Sequence, residues 1–109
     1  MATPRLQRLF LDNSRCLTDE GMRHVGTMTA LSLLHMEYCK GITSTGLTHL
    51  RGLTRLEHLR LWNMEGCTDE QAVASMVSPS LLVLDVFECG ISKEAAARRL
   101  AEIRRDRGC

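Results

Sequence analysis

The sequence predicts an α/β fold: a right-handed βα solenoid of four repeats, with a short parallel sheet on its concave side and helices on its convex side. Three observations carry that prediction. First, the 109-residue chain aligns with itself at a spacing of 25 residues, in segments 4–28, 29–53, 54–78 and 79–103, and such a period marks units that stack. Second, every segment opens apolar-x-x-apolar-x-apolar: Leu6/Leu9/Leu11, Leu31/Leu34/Met36, Leu56/Leu59/Leu61 and Leu81/Leu84/Val86. Third, each ladder is followed by an apolar residue and a hydroxyl, Leu17-Thr18, Ile42-Thr43, Cys67-Thr68 and Ile91-Ser92, ahead of a stretch with helical spacing.

The ladders read as strands, because residues two apart share a face. The residues between them then form outward columns across the sheet: Arg8-Leu33-His58-Val83, Phe10-His35-Arg60-Asp85 and Asp12-Glu37-Trp62-Phe87, with Asn13, Tyr38, Asn63 and Glu88 just beyond. Next comes an inward turn at Ser14, Cys39, Met64 or Cys89. A free cysteine suits that place, being small, readily buried and able to donate weakly to a backbone carbonyl.

The hydroxyls of Thr18, Thr43, Thr68 and Ser92 are expected to cap helices whose first turns carry Asp19-Glu20, Asp69-Glu70 and Glu94, acids that favour the positive end of a helix dipole. The inner helix faces read Met22/Val25/Met28, Leu47/Leu50/Leu53, Ala72/Met76 and Ala96/Leu100/Ile103. The fourth repeat has one residue fewer between Cys89 and Ile91, which predicts a tighter loop. Residues 92–107 form a closing helix with Arg98, Arg99, Arg104, Arg105 and Arg107 on its polar side. A cap of that kind is what the end of a stack requires.

A unit of about 25 residues with L-x-x-L-x-L, then Cys or Asn, then a helix is the leucine-rich-repeat pattern. With Cys at the turn and "LTDEGM" or "ITSTGL" after it, the form resembles the cysteine-containing subclass found in the recognition regions of F-box ubiquitin-ligase receptors. The resemblance covers residues 4–103 and is densest in the second repeat, at Leu31, Leu34, Met36, Cys39, Ile42, Thr43, Gly46 and Leu47. Ser14, Met64 and Gln71 depart from the pattern. A looser resemblance runs to coupling-factor-like leucine-rich subunits of mitochondrial ATP synthase. The implied organisation is a single leucine-rich-repeat domain over residues 1–109.

Composition excludes several function classes. Fourteen basic and thirteen acidic residues leave a net charge of +1, so no global field draws the chain to nucleic acid or an anionic membrane. The Arg-rich last helix offers nucleic acid only a minor alternative, diluted by Glu94, Glu102 and Asp106. Hydrophobic residues make up 44% of the chain without a run of the ~18 that span a bilayer, and no membrane insertion is expected. The start "MATPRLQRLF" is basic and acid-free, as in a mitochondrial targeting segment, but lacks the apolar core of a secretory signal. Five cysteines at non-framework spacings fit a reducing intracellular compartment, whether cytoplasm, nucleus or mitochondrial matrix.

No phosphate loop, serine elbow or zinc spacing is present, so neither catalysis nor a metal or other cofactor is expected. His35 and His58 fall on adjacent strands as diagonal neighbours roughly 7 Å apart, with too few companions for a metal site. The candidate protein-binding residues are Phe10, His35, Tyr38, His58, Arg60, Trp62 and Phe87, because this surface gathers every Phe, Trp and Tyr of the chain, and aromatics are enriched where proteins meet. The alternative is that Trp62 and Phe87 merely cover each other, and that Arg60 and Asp85 form a local ion pair.

A second contact is expected at the N-terminal edge. The first strand begins close to Met1, so Leu9, Leu11 and Leu17 need cover from a partner subunit or from a preceding stretch. The expected function is a non-catalytic interaction module, a small structural subunit or assembly factor whose partners cover that edge and the concave face. The alternative is the substrate-recognition part of an F-box-type ubiquitin-ligase receptor without its F-box.

Overall fold

The structure is a computed structural model that describes residues 5–14, 16–64, 66 and 80–106. Period-two alternation folds four segments into strands: β1 (Arg8–Asp12), β2 (Leu33–Glu37), β3 (His58–Trp62) and β4 (Val83–Phe87). They form one parallel sheet in the order β1-β2-β3-β4, each in register with a partner 25 residues away: Phe10 beside His35, His35 beside Arg60, Arg60 beside Asp85. The chain is therefore an α/β protein with a four-stranded parallel sheet, and its sequence columns are rows of neighbours.

One face of the sheet is apolar and buried. Leu31, Leu34, Met36, Leu56, Leu59 and Leu61 have no exposed surface and pack with Met22, Leu47, Leu50 and Ile103 from the helical side. Fully burying such a side chain contributes about 1.5–3 kcal/mol. The opposite face carries no helix among the described residues. The two outer strands are covered less well: Leu9, Leu11 and Leu84 are half-buried, and Leu6, which the pattern assigns to the core, is 37% exposed. The pattern fixes which way a residue points, whereas burial also needs a neighbour on each side.

Each strand exits through a left-handed residue: Asn13, Tyr38, Asn63 and Glu88 have φ of 53–59°. This turns the amide toward the next strand, so Asn13 donates to the Glu37 carbonyl at 2.6 Å, Tyr38 to Trp62 at 3.2 Å and Asn63 to Phe87 at 2.8 Å. Asparagine tolerates that conformation, but Tyr and Glu pay about 1–2 kcal/mol for it. Below the turn, Cys39 is fully buried and its Sγ donates to the Leu11 carbonyl of the preceding unit at 3.0 Å. Gly41 and Gly66 follow, where a Cβ would lie 2.5 Å from the Leu17 carbonyl oxygen and 2.6 Å from that of Ile42. Backbone passes over backbone at these two points.

The helical side is less regular than the sheet. Helix α1 spans Asp19–Val25, and Met22 and Val25 bury its inner face. The second unit makes only one α turn, α2 (Ser44–Leu47), continued by a 3-10 stretch from Thr48 to Gly52. Leu47, Leu50 and Leu53 are all fully buried, so the predicted inner face survives the change of helix type. The predicted third helix, with Cys67, Thr68, Asp69, Glu70, Ala72 and Met76, lies outside the described residues. Helix α3 (Lys93–Asp106) closes the described chain and packs on β4 through Ala96 and Ile103, with Leu100 half-buried.

The capping expectations divide. Thr43 Oγ1 accepts from the Thr45 amide at 3.2 Å, and Ser92 Oγ from the Ala95 amide at 3.1 Å. Thr18 makes no side-chain cap, contrary to expectation. Asp19 does not serve only its own helix: Oδ1 accepts from the Thr43 amide at 2.8 Å and Oδ2 from the Thr43 hydroxyl at 2.6 Å, which ties the first unit to the second. Because those two bonds hold a helix start across units, Asp19→Ala should lower stability by about 1–2 kcal/mol, read from the urea midpoint. Glu88→Asn should raise it by about 0.5–1 kcal/mol by relieving a left-handed Glu. An unchanged midpoint in either variant would refute the corresponding contribution.

Candidate functional site

The open face of the sheet is built from the outward residues of the four strands. Alternation aims them away from the core, and the common register sets residues of adjacent strands side by side. Phe10 stands edge-on to His35 with ring centroids 4.9 Å apart, and His35 lies 4.9 Å from His58. The two imidazoles are thus diagonal in register, as predicted, but their rings stand closer than the roughly 7 Å expected of diagonal neighbours. Arg60 lies 4.3 Å above the Trp62 ring, and Trp62 packs at 5.6 Å against Phe87. Rings and one guanidinium so form a continuous layer across the sheet.

Phe10, Tyr38 and Phe87 are 56%, 48% and 46% exposed, while His35, His58, Arg60 and Trp62 are half-buried within the layer. Tyr38 owes its position to the left-handed turn after β2, which carries its side chain off the end of the strand. Mutual cover and exposure are both present: Trp62 and Phe87 touch, and one of the pair remains open to solvent. The predicted Arg60–Asp85 pair forms, with Nε 3.3 Å from Oδ2 and side chains 31% and 37% exposed. Solvent screening limits such a pair to about 0–1 kcal/mol. Lys93, at the start of α3, reaches to 6.0 Å from the Phe87 ring. The repeat pattern hides that neighbour, because no equivalent lysine stands in the other three units.

Four nitrogens of the layer lack partners. His35 Nε2, His58 Nε2, Arg60 Nε and Trp62 Nε1 are buried without a hydrogen-bond partner in the protein; Asp85 is close to Arg60 Nε but off the line of its N–H. An unpaired buried group of this kind costs about 1–3 kcal/mol. Burial lowers the proton affinity of His35 below the ordinary imidazole value, and the nearby Arg60 and His58 lower it further, against a smaller opposing pull from Asp12 and Asp85.

The other candidate residues are distributed as follows. Leu9, Leu11 and Leu17, the predicted N-terminal edge, are half-buried, whereas their counterparts Leu34, Met36 and Ile42 are fully buried. Cys39 and Cys89 have thiol pKa values raised mainly by burial, which disfavours the nucleophilic thiolate. Cys16 is exposed. His24 is exposed on α1, and His49, expected to be solvated like it, is half-buried because its backbone runs against Gly26. A shallow cleft of about 340 Å³ lies between β4 and α3, lined by Leu84, Val86, Ala96 and Leu100 with Asp85 and Lys93 at its rim. Among the described residues no group of three or more His, Cys, Asp or Glu is placed to hold a metal ion, and no helix is long and apolar enough to cross a membrane.

Comparison with known proteins returns no matching family model and no matching curated protein.

The lowered proton affinity of His35 has a sign. The unfolded chain takes up this proton near the ordinary value of 6.5, the folded chain only at lower pH. The contribution of His35 to stability is therefore complete above about pH 6.5 and falls away as the pH drops toward the folded value. The urea midpoint should decline from pH 7.5 to 5.5, and His35→Gln should flatten that decline; an identical slope in the variant would assign it to other groups.

Proposed function

We propose that this chain is a leucine-rich-repeat solenoid of the cysteine-containing subclass, working as a non-catalytic protein–protein interaction module, a small structural subunit or assembly factor of a larger complex. The observation that carries this reading is the open face, where Phe10, Tyr38 and Phe87 stay 46–56% exposed although one wall of the sheet is available to bury apolar groups. Clustered exposed aromatics on a rigid sheet are the composition of a protein-binding surface. The 25-residue register and the bond from Cys39 to the preceding unit support the repeat assignment.

In this reading the concave face takes one partner segment, anchored on Tyr38, Trp62 and Phe87, with His35, His58 and Arg60 supplying polarity. A second subunit covers the N-terminal edge, where Leu9, Leu11 and Leu17 keep an exposure that Leu34, Met36 and Ile42 lack. The compartment that fits best is an intracellular, reducing one, since Cys39 packs as a free thiol.

The test is the stoichiometry of whatever stays bound to the tagged chain after gentle purification, compared with the Trp62→Ala/Phe87→Ala double variant. Near-equimolar companions that are lost from the double variant are expected, with affinity down by at least about 2 kcal/mol if these are anchoring residues. Unchanged companions would remove the concave face from the proposal. A ligase scaffold with exchanging clients would select the ubiquitin-ligase receptor instead.

A further inference from the structure

The docking role leaves open what docks, and the polar atoms of the open face narrow the choice. His35 Nε2, His58 Nε2, Arg60 Nε and Trp62 Nε1 are buried there without a partner, and among the described residues the only other side-chain atom in that state is Arg99 Nε, on α3. Indole and guanidinium nitrogens only donate, and a neutral imidazole donates from one of its nitrogens. Arg60 Nε and Trp62 Nε1 are therefore obligate donors, each imidazole Nε2 donates in one tautomer, and the acid beside Arg60 in register, Asp85, lies off the line of its N–H. Unpaired donors gathered at one place call for a partner that brings acceptors.

The route to those donors is also visible. The guanidinium of Arg60 covers the Trp62 ring at 4.3 Å, so rotation of one long, half-buried side chain uncovers both its own Nε and the indole. His35 sits beside Arg60 in register and 4.9 Å from His58, so three groups that carry or can acquire positive charge are adjacent. An anion among them pairs with the Arg60 charge. The surroundings disfavour a polyanion, since Asp12, Glu37 and Asp85 lie on the same side of the sheet. Asp12 and Glu37 stand two residues further along β1 and β2 than Phe10 and His35, a step of about 7 Å. A single acid with a base that distance away matches the face.

We propose that the open face binds a protein segment that presents an acidic side chain to His35, His58 and Arg60, and a basic side chain about 7 Å away to Asp12 and Glu37. Phe10, Tyr38 and Phe87 frame the segment. The inference rests on the docking role proposed above and adds the chemistry of the partner.

The experiment pans a random dodecapeptide display library on the full chain, in parallel with Arg60→Gln, His58→Gln and Trp62→Ala/Phe87→Ala variants whose circular dichroism shows them folded. Selected peptides should carry Asp or Glu within two to four residues of Lys or Arg. Amidating that acid, or using Arg60→Gln, should weaken binding by about ten-fold or more. Fluorescence of the chain's one tryptophan should change on binding, as Arg60 leaves its ring. Peptides that need Trp62 and Phe87 but no acid would overturn the charge pairing and leave the docking role standing. No binders, or binders indifferent to Trp62 and Phe87, would overturn both.

Discussion

Each strand hydrogen-bonds to the next with an identical offset of 25 residues, and that offset governs everything else. It sets Leu9, Leu34, Leu59 and Leu84 in one file and Leu11, Met36, Leu61 and Val86 in another, so the strands can share one apolar wall. A slip of one residue in any strand would send its leucines to solvent and its Arg, Asp or His into the core. The register is held by burial more than by the hydrogen bonds, which a slipped pairing would largely recover. Once it is held, the helical segments have a fixed span to cover before the next strand, and the second unit meets it with one α turn and a 3-10 stretch.

The tight points of the structure lie between units, at the return from strand to helix. Backbone crosses backbone at Gly41 and Gly66, Cys39 donates to a carbonyl of the unit before it, and the Asp19 carboxylate holds the amide and hydroxyl of Thr43 in the unit after it. Small or compact side chains are needed here because polar backbone must approach closely while staying hydrogen-bonded. The open face is under no such restriction. Its residues touch one another and solvent, so their identities are free to answer to a partner.

Much of this was legible in the residues. Period and alternation place all four strands and the neighbours in each outward row, because both depend only on spacing. The Arg60–Asp85 pair followed from the register alone. What spacing cannot supply is the extent of cover: Leu6 shares the ladder pattern of Leu31 yet is 37% exposed, while Leu31 is fully buried. Nor does it supply helix type, since Leu47, Leu50 and Leu53 would serve an α-helix or a 3-10 turn equally. Thr18 and Thr43 look alike in sequence but only Thr43 caps. The lean of His35 toward His58 and the stacking of Arg60 on Trp62 depend on side-chain rotamers, which a pattern of letters does not encode.

Among the described elements, each strand pairs only with adjacent strands, α1 packs beside α2 and the 3-10 stretch that follows it, and α3 packs on β4. Nothing described joins β1 directly to β3 or β4. Cooperativity in such an arrangement is a relay, with each unit held by its immediate neighbours. Within the described sheet β2 and β3 are flanked by strands on both sides, β1 and β4 on one. A segment lying across the open face would touch several strands at once. It would be the one element coupling units that otherwise sense each other only in sequence, and its arrival would convert a relay into a single cooperative block.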